Sequence, residues 1–197
     1  MNYQIEMKNL AADNGGIITN KAAENRGISR TVLYKLNKEG IIQRISQGQY
    51  VVADDLQDEL LSIDIRSDNI IFSHETALWL HGLSDRVPFV HSVTAPSGKM
   101  PSKSLQESCK VYYVKPDCFE LGKTTLSTPY GNNVTVYDRE RTLCDCVRSR
   151  NKMGSETFLN ALKMYAAQKD KNLNLLYLYA EKLRVASVVR KYLEVLL

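Results

Sequence analysis

The chain has 197 residues, of which 44% are hydrophobic and 24% are charged, and its formal net charge is +4. This is the composition of an ordinary globular protein that can form one or two cores. The small positive charge is compatible with a nucleic-acid partner but does not require one. The amino terminus lacks the apolar run of a signal peptide and no stretch is long enough to span a membrane, so we expect a cytoplasmic protein without a membrane partner.

A helix-turn-helix pattern lies near the amino terminus, after a predicted helix at 3–13 and a short strand at 17–18. Thr19 can cap a helix over 21–26, which Gly27 can end in the left-handed conformation. A second helix is predicted to follow over residues 30–39. Two short helices joined by a turn that contains glycine are typical of DNA-binding helix-turn-helix motifs.

The second helix of this motif has two different faces. At about 100° per residue, Val32, Leu33 and Leu36 fall on one side, where they can pack against a core. The opposite side carries cations and hydroxyl groups, which can bind phosphates or reach base edges in the major groove. Its members are Arg30, Thr31, Tyr34, Lys35 and Lys38. A basic helix face alone is more often simply solvated, so the residues that follow decide the interpretation.

A predicted β-hairpin follows the second helix. Residues 41–45 and 49–52 form its strands, and residues 46–48 form a polar turn. Two helices followed by such a hairpin are the arrangement of a winged helix-turn-helix. Arg44 and Gln47 would then contact the DNA backbone or the minor groove. The pattern therefore predicts DNA binding.

The remainder of the chain predicts a second domain of mixed structure. Residues 1–53 contain seven cations and four acids, whereas the next stretch is acidic, which places a boundary there. The predicted elements beyond it are helices at about 56–65 and 74–81, strands at 89–94, 109–114, 124–128 and 134–137, and helices from residue 138 onwards. The predicted fold class is α+β, with a winged helix-turn-helix domain at 1–53 and a mixed α/β domain at 54–197 that ends in a helical cluster.

The candidate catalytic and metal-binding residues form no convincing site. The spacing of Cys109, Cys118, Cys144 and Cys146 does not match a zinc site, and we expect them to be buried, reduced thiols. His74 and His81 share a helix face, but no nucleophile lies in a recognised catalytic motif. There is also no glycine-rich phosphate loop. We therefore expect no metal, no cofactor and no enzymatic activity.

A polar helix face in the second domain allows two interpretations. Asp138, Arg141 and Asp145 lie three and four residues apart, so they share one face of a helix and can form ion pairs, with Arg148 nearby. The first interpretation is a salt-bridged helix that holds the sheet to the helical cluster. The second is a polar patch that meets a nucleotide, RNA or a protein partner.

Three segments together resemble the AbiEi-type antitoxins of bacterial abortive-infection systems. The first is GISRTVLY at residues 27–34, which continues through Gly40 into GQYV at 48–51. The other two are FSHETALWLHGL at 72–83 and DRERTLCD at 138–145. The resemblance extends from about residue 9 to the end of the chain, and the ordered set of three is more specific than the hairpin signature alone.

This resemblance implies a regulator with two roles. Its first domain would repress its own operon by binding repeats in the promoter. The protein would be a monomer, with one molecule bound to each repeat. Its second domain would counteract a nucleotidyltransferase-like toxin without forming a stable complex with it, and the polar face at 138–148 would be the antitoxin patch. Two alternatives stay open. One is a winged-helix regulator that senses a small ligand and has no toxin partner, and the other is an enzyme that the first domain only targets.

Overall fold

The computed structural model of the protein describes residues 2–196, apart from the side chains of residues 155 and 195. These residues form two compact units. The first contains the chain up to Ile65 together with Thr128–Asn132, and the second contains Arg66–Ser127 and the residues from Asn133 onwards. Both units combine helices with a β-sheet, which confirms a mixed α+β fold. The first unit thus extends past residue 53, where the sequence placed the domain boundary.

The first unit consists of short helices around a three-stranded antiparallel sheet. Its elements are α1 (Tyr3–Ala12), β1 (Ile18–Thr19), α2 (Asn20–Asn25), α3 (Arg30–Lys38), β2 (Ile42–Ser46), β3 (Gln49–Val52) and α4 (Glu59–Asp64). The strand order is β1-β3-β2, and Ile18 lies opposite Tyr50. The helices and the sheet enclose a core that includes Met7, Leu10, Leu33 and Ile42. The short strand predicted before the two helices therefore pairs with the hairpin.

Helix α4 belongs to the first unit through a buried hydrogen-bond network. The Gln49 side chain accepts a hydrogen bond from Ser62 Oγ at 2.8 Å and donates one to the Ser62 carbonyl at 3.2 Å. The predicted helix at 56–65 is too long. Leu56 precedes the helix and is 79% exposed, and Ile65 follows it and is 42% exposed. The apolar spacing of the sequence suggested a longer helix than the Asp58 cap permits.

Asp58 also holds the turn at Thr128–Asn132 within the first unit. Its carboxylate accepts from the Leu61 backbone N–H at 3.1 Å, from Thr128 Oγ1 at 2.6 Å and from Asn132 Nδ2 at 2.8 Å. Asp58 is buried. Its two oxygens are therefore satisfied by three donors, as a buried carboxylate requires.

The second unit has a mixed five-stranded sheet and a set of helices. Its strands are β4 (Ile71–Phe72), β5 (His91–Pro96), β6 (Cys109–Val114), β7 (Lys123–Ser127) and β8 (Asn133–Tyr137), in the order β6-β5-β4-β8-β7. Its helices are α5 (His74–Leu80), α6 (Lys103–Ser108), α7 (Arg139–Arg148), α8 (Ser155–Ala167), α9 (Leu173–Lys182) and α10 (Ala186–Leu196). The pairs β5/β6 and β4/β8 are parallel, and the pairs β4/β5 and β7/β8 are antiparallel.

Two elements of this unit were not predicted from the sequence, and a third begins later than predicted. Strand β4 has only two residues but lies in the middle of the sheet, and α6 lies inside a region that was interpreted as β. The strand predicted at 89–94 begins instead at His91, and Phe89 is fully exposed. An apolar residue next to a strand carries the same local signal whether or not the sheet extends to it, so the sequence could not separate the two cases.

Candidate nucleic-acid interface

The segment that joins α2 to α3 has the local structure that the sequence predicts. Thr19 Oγ1 accepts from the Ala22 backbone N–H at 3.1 Å and thus caps α2. Gly27 adopts a left-handed conformation with φ +75°, which glycine reaches without strain. Ser29 Oγ then accepts from the Val32 backbone N–H at 3.4 Å and caps α3. The two N-caps therefore fix where α2 and α3 start, and Gly27 lets the chain turn between them.

Helix α3 separates an apolar face from a polar face. Leu33 and Leu36 are buried in the core of the first unit, and Val32 packs beside them. All five side chains that were predicted to meet DNA are exposed, namely Arg30, Thr31, Tyr34, Lys35 and Lys38. Tyr34 is 67% exposed. The helix therefore presents three cations, a phenol and a hydroxyl to solvent.

Two of these cations form exposed ion pairs. Arg30 Nε donates to Glu24 Oε1 at 2.7 Å, and Lys35 Nζ lies 3.8 Å from Glu39 Oε1. Exposed pairs of this kind contribute about 0–1 kcal/mol, because water screens both charges. A phosphate can therefore replace either carboxylate at little energetic cost.

The β2–β3 hairpin carries the other two predicted contact residues. Arg44 and Gln47 are exposed, and Gln47 lies in the tight turn before Gly48. The pairing is irregular between Arg44 and Ser46. Strand β2 advances by two residues there, whereas the facing strand β3 advances by one, from Tyr50 to Gln49. Arg44 Nε donates to the Ser46 carbonyl at 3.1 Å, which holds its side chain along the hairpin.

Two asparagines and a glycine outside the predicted contact set hold the hairpin in place. Asn37 Oδ1, at the end of α3, accepts from the Arg44 backbone N–H at 2.8 Å. Gly48 has φ +73°, and its carbonyl accepts from the Asn20 backbone N–H at 2.9 Å. A Cβ at Gly48 would lie 2.9 Å from Asn20 Nδ2. An asparagine at the end of a helix and another at the start were the available signals, and the sequence pattern assigned neither of them a role.

The polar face predicted in the second unit is largely buried. Arg141 is fully buried, and its Nε donates to Asp145 Oδ2 at 3.0 Å. Arg141 Nη1 donates to the carbonyl groups of Cys118 and Leu121, and the guanidinium lies 4.0 Å from the centre of the Tyr137 ring. Burial raises the pKa of the Asp145 carboxyl, and the Arg141 guanidinium opposes that rise. Arg141 and Asp145 are therefore partners in a buried ion pair, which corrects the antitoxin patch at these two positions in favour of the salt-bridged helix.

The other two members of that predicted face have different roles. Asp138 caps α7 by accepting from the Arg141 backbone N–H at 2.7 Å, and it also accepts from Tyr179 Oη at 3.0 Å. Burial raises the pKa of the Asp138 carboxyl, whereas these two hydrogen bonds lower it. Arg148 is exposed and donates to the Tyr113 carbonyl at 3.2 Å. Of the four residues, Arg148 alone is exposed.

Residues 2–196 contain no group of three His, Cys, Asp or Glu side chains arranged to hold a metal ion. Cys109, Cys144 and Cys146 are buried and Cys118 is half-buried, and all four are free thiols. Burial raises the pKa of the Cys144 and Cys146 thiols, which keeps them protonated at neutral pH. In the part of the chain that the structure describes, no helix is both long and apolar enough to cross a membrane.

The amino-terminal residues match a known family. Residues 6–53 match the family described as "Transcriptional regulator, AbiEi antitoxin". This match covers about a quarter of the chain and confirms the predicted resemblance over the segment that carries the candidate interface. The two other segments that carried the resemblance, at 72–83 and 138–145, lie outside the matched residues. The similarity to this family is therefore shown for residues 6–53 of the first unit.

Among solved structures, the chain is similar to the crystal structure of the RV2827C protein from Mycobacterium tuberculosis. The TM-score is 0.70 at 16% sequence identity, and the alignment covers 95% of this chain and 75% of that chain. A likeness at this identity shows the fold alone. No curated protein matches the sequence.

Proposed function

We propose that the first unit is a winged helix-turn-helix domain that binds DNA and represses its own operon. The observation that carries the proposal is the exposed polar face of α3, with Arg30, Tyr34 and Lys35 opposite a buried Leu33 and Leu36. Helix α3 would enter the major groove, and the β2–β3 hairpin would act as the wing. The match of residues 6–53 to transcriptional regulators supports this proposal.

The contacts divide into two classes with different consequences. Lys35 and Lys38 suit phosphates, because an ammonium group is a point charge without a fixed geometry. Arg30 suits a guanine edge, because its guanidinium can donate two parallel hydrogen bonds. If six contacts reach phosphates, the affinity should fall on the order of 1000-fold between about 50 and 200 mM salt.

The second role that we propose is to counteract a nucleotidyltransferase-like toxin encoded in the same operon. The support is the resemblance of the chain to AbiEi antitoxins, of which the family match covers the regulator segment. We propose that this role requires no enzymatic activity of the protein, and that it acts as a monomer in the cytoplasm. Co-expression with the neighbouring toxin gene tests it, since growth should be restored by the wild-type protein and not by an empty vector.

The DNA-binding proposal is tested by a gel-shift titration on the DNA upstream of the gene, beside a shuffled sequence of the same length. The Arg30→Ala/Lys35→Ala variant should lose specific binding. The matched control is Lys8→Ala/Lys163→Ala, which removes the same charge from two exposed lysines outside the proposed surface. Equal binding to both DNAs, or unchanged binding by the first variant, would overturn the proposal.

A further inference from the structure

The second unit contains a cavity of about 370 Å³ between strand β6 and the end of helix α7. Strand β6 is an edge strand of the five-stranded sheet, and it lines the cavity with residues 111–114. The size falls within the range of small-molecule pockets, which combine apolar walls with a few convergent polar groups. The polar groups here come mainly from one short segment, and they are Arg148, Ser149, Asn151 and Lys152.

The charge of this cavity is positive. Arg148 and Lys152 line it, and neither forms an ion pair with a carboxylate of the described residues 2–196. Asp145 also lines the cavity, but its charge is already matched by Arg141 at 3.0 Å. The C-terminal end of α7 adds roughly half a negative charge, which opposes an anion. Two full positive charges outweigh that dipole, so the cavity favours an anionic ligand.

A chain of hydrogen bonds connects Thr94, His74 and Ser149, which all line the cavity. Thr94 Oγ1 donates to Ser73 Oγ at 2.8 Å, and Ser73 Oγ lies 2.9 Å from His74 Nδ1. Because Ser73 accepts from Thr94, its own hydrogen is available to His74 Nδ1. When Ser73 donates to Nδ1, the imidazole hydrogen lies on Nε2, which is 3.0 Å from Ser149 Oγ. In this tautomer Ser149 accepts that hydrogen bond and keeps its own hydrogen to donate to a ligand.

His74 is buried, neutral and stacked on an aromatic ring. Burial lowers the pKa of His74 well below its usual value of 6.5, so the ring is neutral at pH 7. The ring stacks on Tyr112 with 3.5 Å between the ring centres. His74 also has φ +47°, a left-handed conformation that costs energy for a residue other than glycine. Such strain persists only where the surrounding contacts maintain it, and it is concentrated at functional sites.

We propose that this cavity binds the phosphate group of a small molecule. Arg148 and Lys152 supply the positive charge, and Ser149 and Asn151 supply neutral donors, which together match the charge and the oxygen atoms of a phosphate monoester. The rest of the ligand would contact strand β6, whose residues 111–114 line the same cavity. The proposal concerns the second unit alone and does not depend on DNA binding by the first.

The test is isothermal titration calorimetry of the full-length protein with three probes. These probes are inorganic phosphate, adenosine 5′-monophosphate and adenosine. We expect saturable binding of at least one of the two phosphate probes and none of adenosine. Equal affinities for inorganic phosphate and adenosine 5′-monophosphate would mean that the site recognises the phosphate group alone. Tighter binding of the nucleotide would mean that the nucleoside also contributes to the affinity. Adenosine binding as tightly as the nucleotide, or no saturable binding of either phosphate probe, would overturn the proposal.

Two variants and a control locate the binding. Arg148→Gln/Lys152→Gln should weaken phosphate binding by at least about tenfold, and Ser149→Ala by about tenfold, since each removes a hydrogen bond to a charged group. The matched control is Lys163→Gln/Arg190→Gln, which changes two exposed cations of the same unit that do not line the cavity. Thermal unfolding verifies that each variant is folded. Unchanged affinity in folded Arg148→Gln/Lys152→Gln would also overturn the proposal.

Discussion

Each unit of the molecule contains an arginine paired with a carboxylate, and the two pairs differ in burial. In the first unit, Arg30 lies 2.7 Å from Glu24, and the two side chains are 71% and 45% exposed. In the second unit, Arg141 lies 3.0 Å from Asp145, and the side chains are 0% and 3% exposed. The two distances are nearly equal. The length of the ion pair alone therefore does not tell an arginine that can bind a partner from one that cannot.

Burial determines what each pair can do. The exposed pair is screened by water and contributes about 0–1 kcal/mol, so Arg30 can exchange Glu24 for a phosphate or a base. The buried pair has lost its hydration, and separating it would leave two uncompensated charges in the core. Arg141 is also held by two carbonyl groups and the Tyr137 ring. The first arginine is therefore available for recognition, whereas the second maintains the fold.

The largest expected effect comes from removing the buried arginine. Arg141→Met should lower the free energy of unfolding by about 3–5 kcal/mol, because Asp145 would stay buried without a partner. Trp79 is the only tryptophan and lies on α5 of the second unit, so its fluorescence during urea unfolding reports on this unit.

Two controls accompany this measurement. Arg141→Met/Asp145→Leu should recover part of the loss, because no charge is then left unpaired. Arg30→Met should leave the fluorescence transition unchanged within about 0.5 kcal/mol, as is usual for surface substitutions. A loss below about 1 kcal/mol in Arg141→Met would contradict the structural role of the buried pair.

The second expected effect is a loss of stability of the second unit in mild acid. The folded-state pKa of His74 lies well below 6.5, because burial disfavours the charged ring. Below pH 6.5 the unfolded chain therefore binds a proton that the folded chain does not, and stability falls as the pH falls. The slope for one such group reaches about 1.4 kcal/mol per pH unit. Burial also lowers the pKa of His81, which acts in the same direction.

This pH dependence is measured from urea midpoints by Trp79 fluorescence between pH 5 and 7.5. His74→Asn should flatten the slope, and asparagine tolerates the left-handed backbone at this position. A variant whose slope equals that of the wild type would show that His74 does not cause the effect.

A smaller effect is expected from two glycines of the first unit that have almost the same φ. Gly40→Ala and Gly48→Ala should each lower the free energy of unfolding by about 1–2 kcal/mol. Both positions have a left-handed backbone, with φ of +74° and +73°, in which alanine is strained. At Gly40 nothing lies within 4 Å of the new Cβ, whereas at Gly48 it would lie 2.9 Å from Asn20 Nδ2. Gly48→Ala should therefore be the more destabilising of the two in thermal unfolding followed by circular dichroism. The opposite order would mean that the hairpin turn does not approach α2 so closely.

The smallest expected change in stability comes from the exposed pair. Glu24→Gln should change the free energy of unfolding by less than about 1 kcal/mol. If α3 binds DNA, the same substitution should raise the affinity for the upstream DNA severalfold, because it releases Arg30 and removes a negative charge near the phosphates. Asp55→Asn, which changes an exposed carboxylate outside this pair, is the control. An unchanged affinity in Glu24→Gln would argue against a DNA contact by Arg30.

The elements of the first unit could be predicted closely because their signals are local. Thr19 and Ser29 cap helices, Gly27 and Gly48 require a positive φ, and each of these depends on neighbours within a few residues. The exposed face of α3 follows from helical periodicity in the same way. What these local signals did not reveal was the support of the hairpin by Asn37, whose partner Arg44 lies seven residues further on.

The second unit was predicted less well because its structure depends on distant parts of the chain. The two residues of β4 are strand residues only because β5 and β8 pair with them on either side. The DRER segment carries the same charge pattern whether it faces solvent or core, and Arg141 is buried because Cys118, Leu121 and Tyr137 surround it. Caps, turns and helix faces are thus encoded by short stretches of sequence. Burial of a charged side chain is decided by the folded chain, because only the folded chain brings together the groups that compensate for lost hydration.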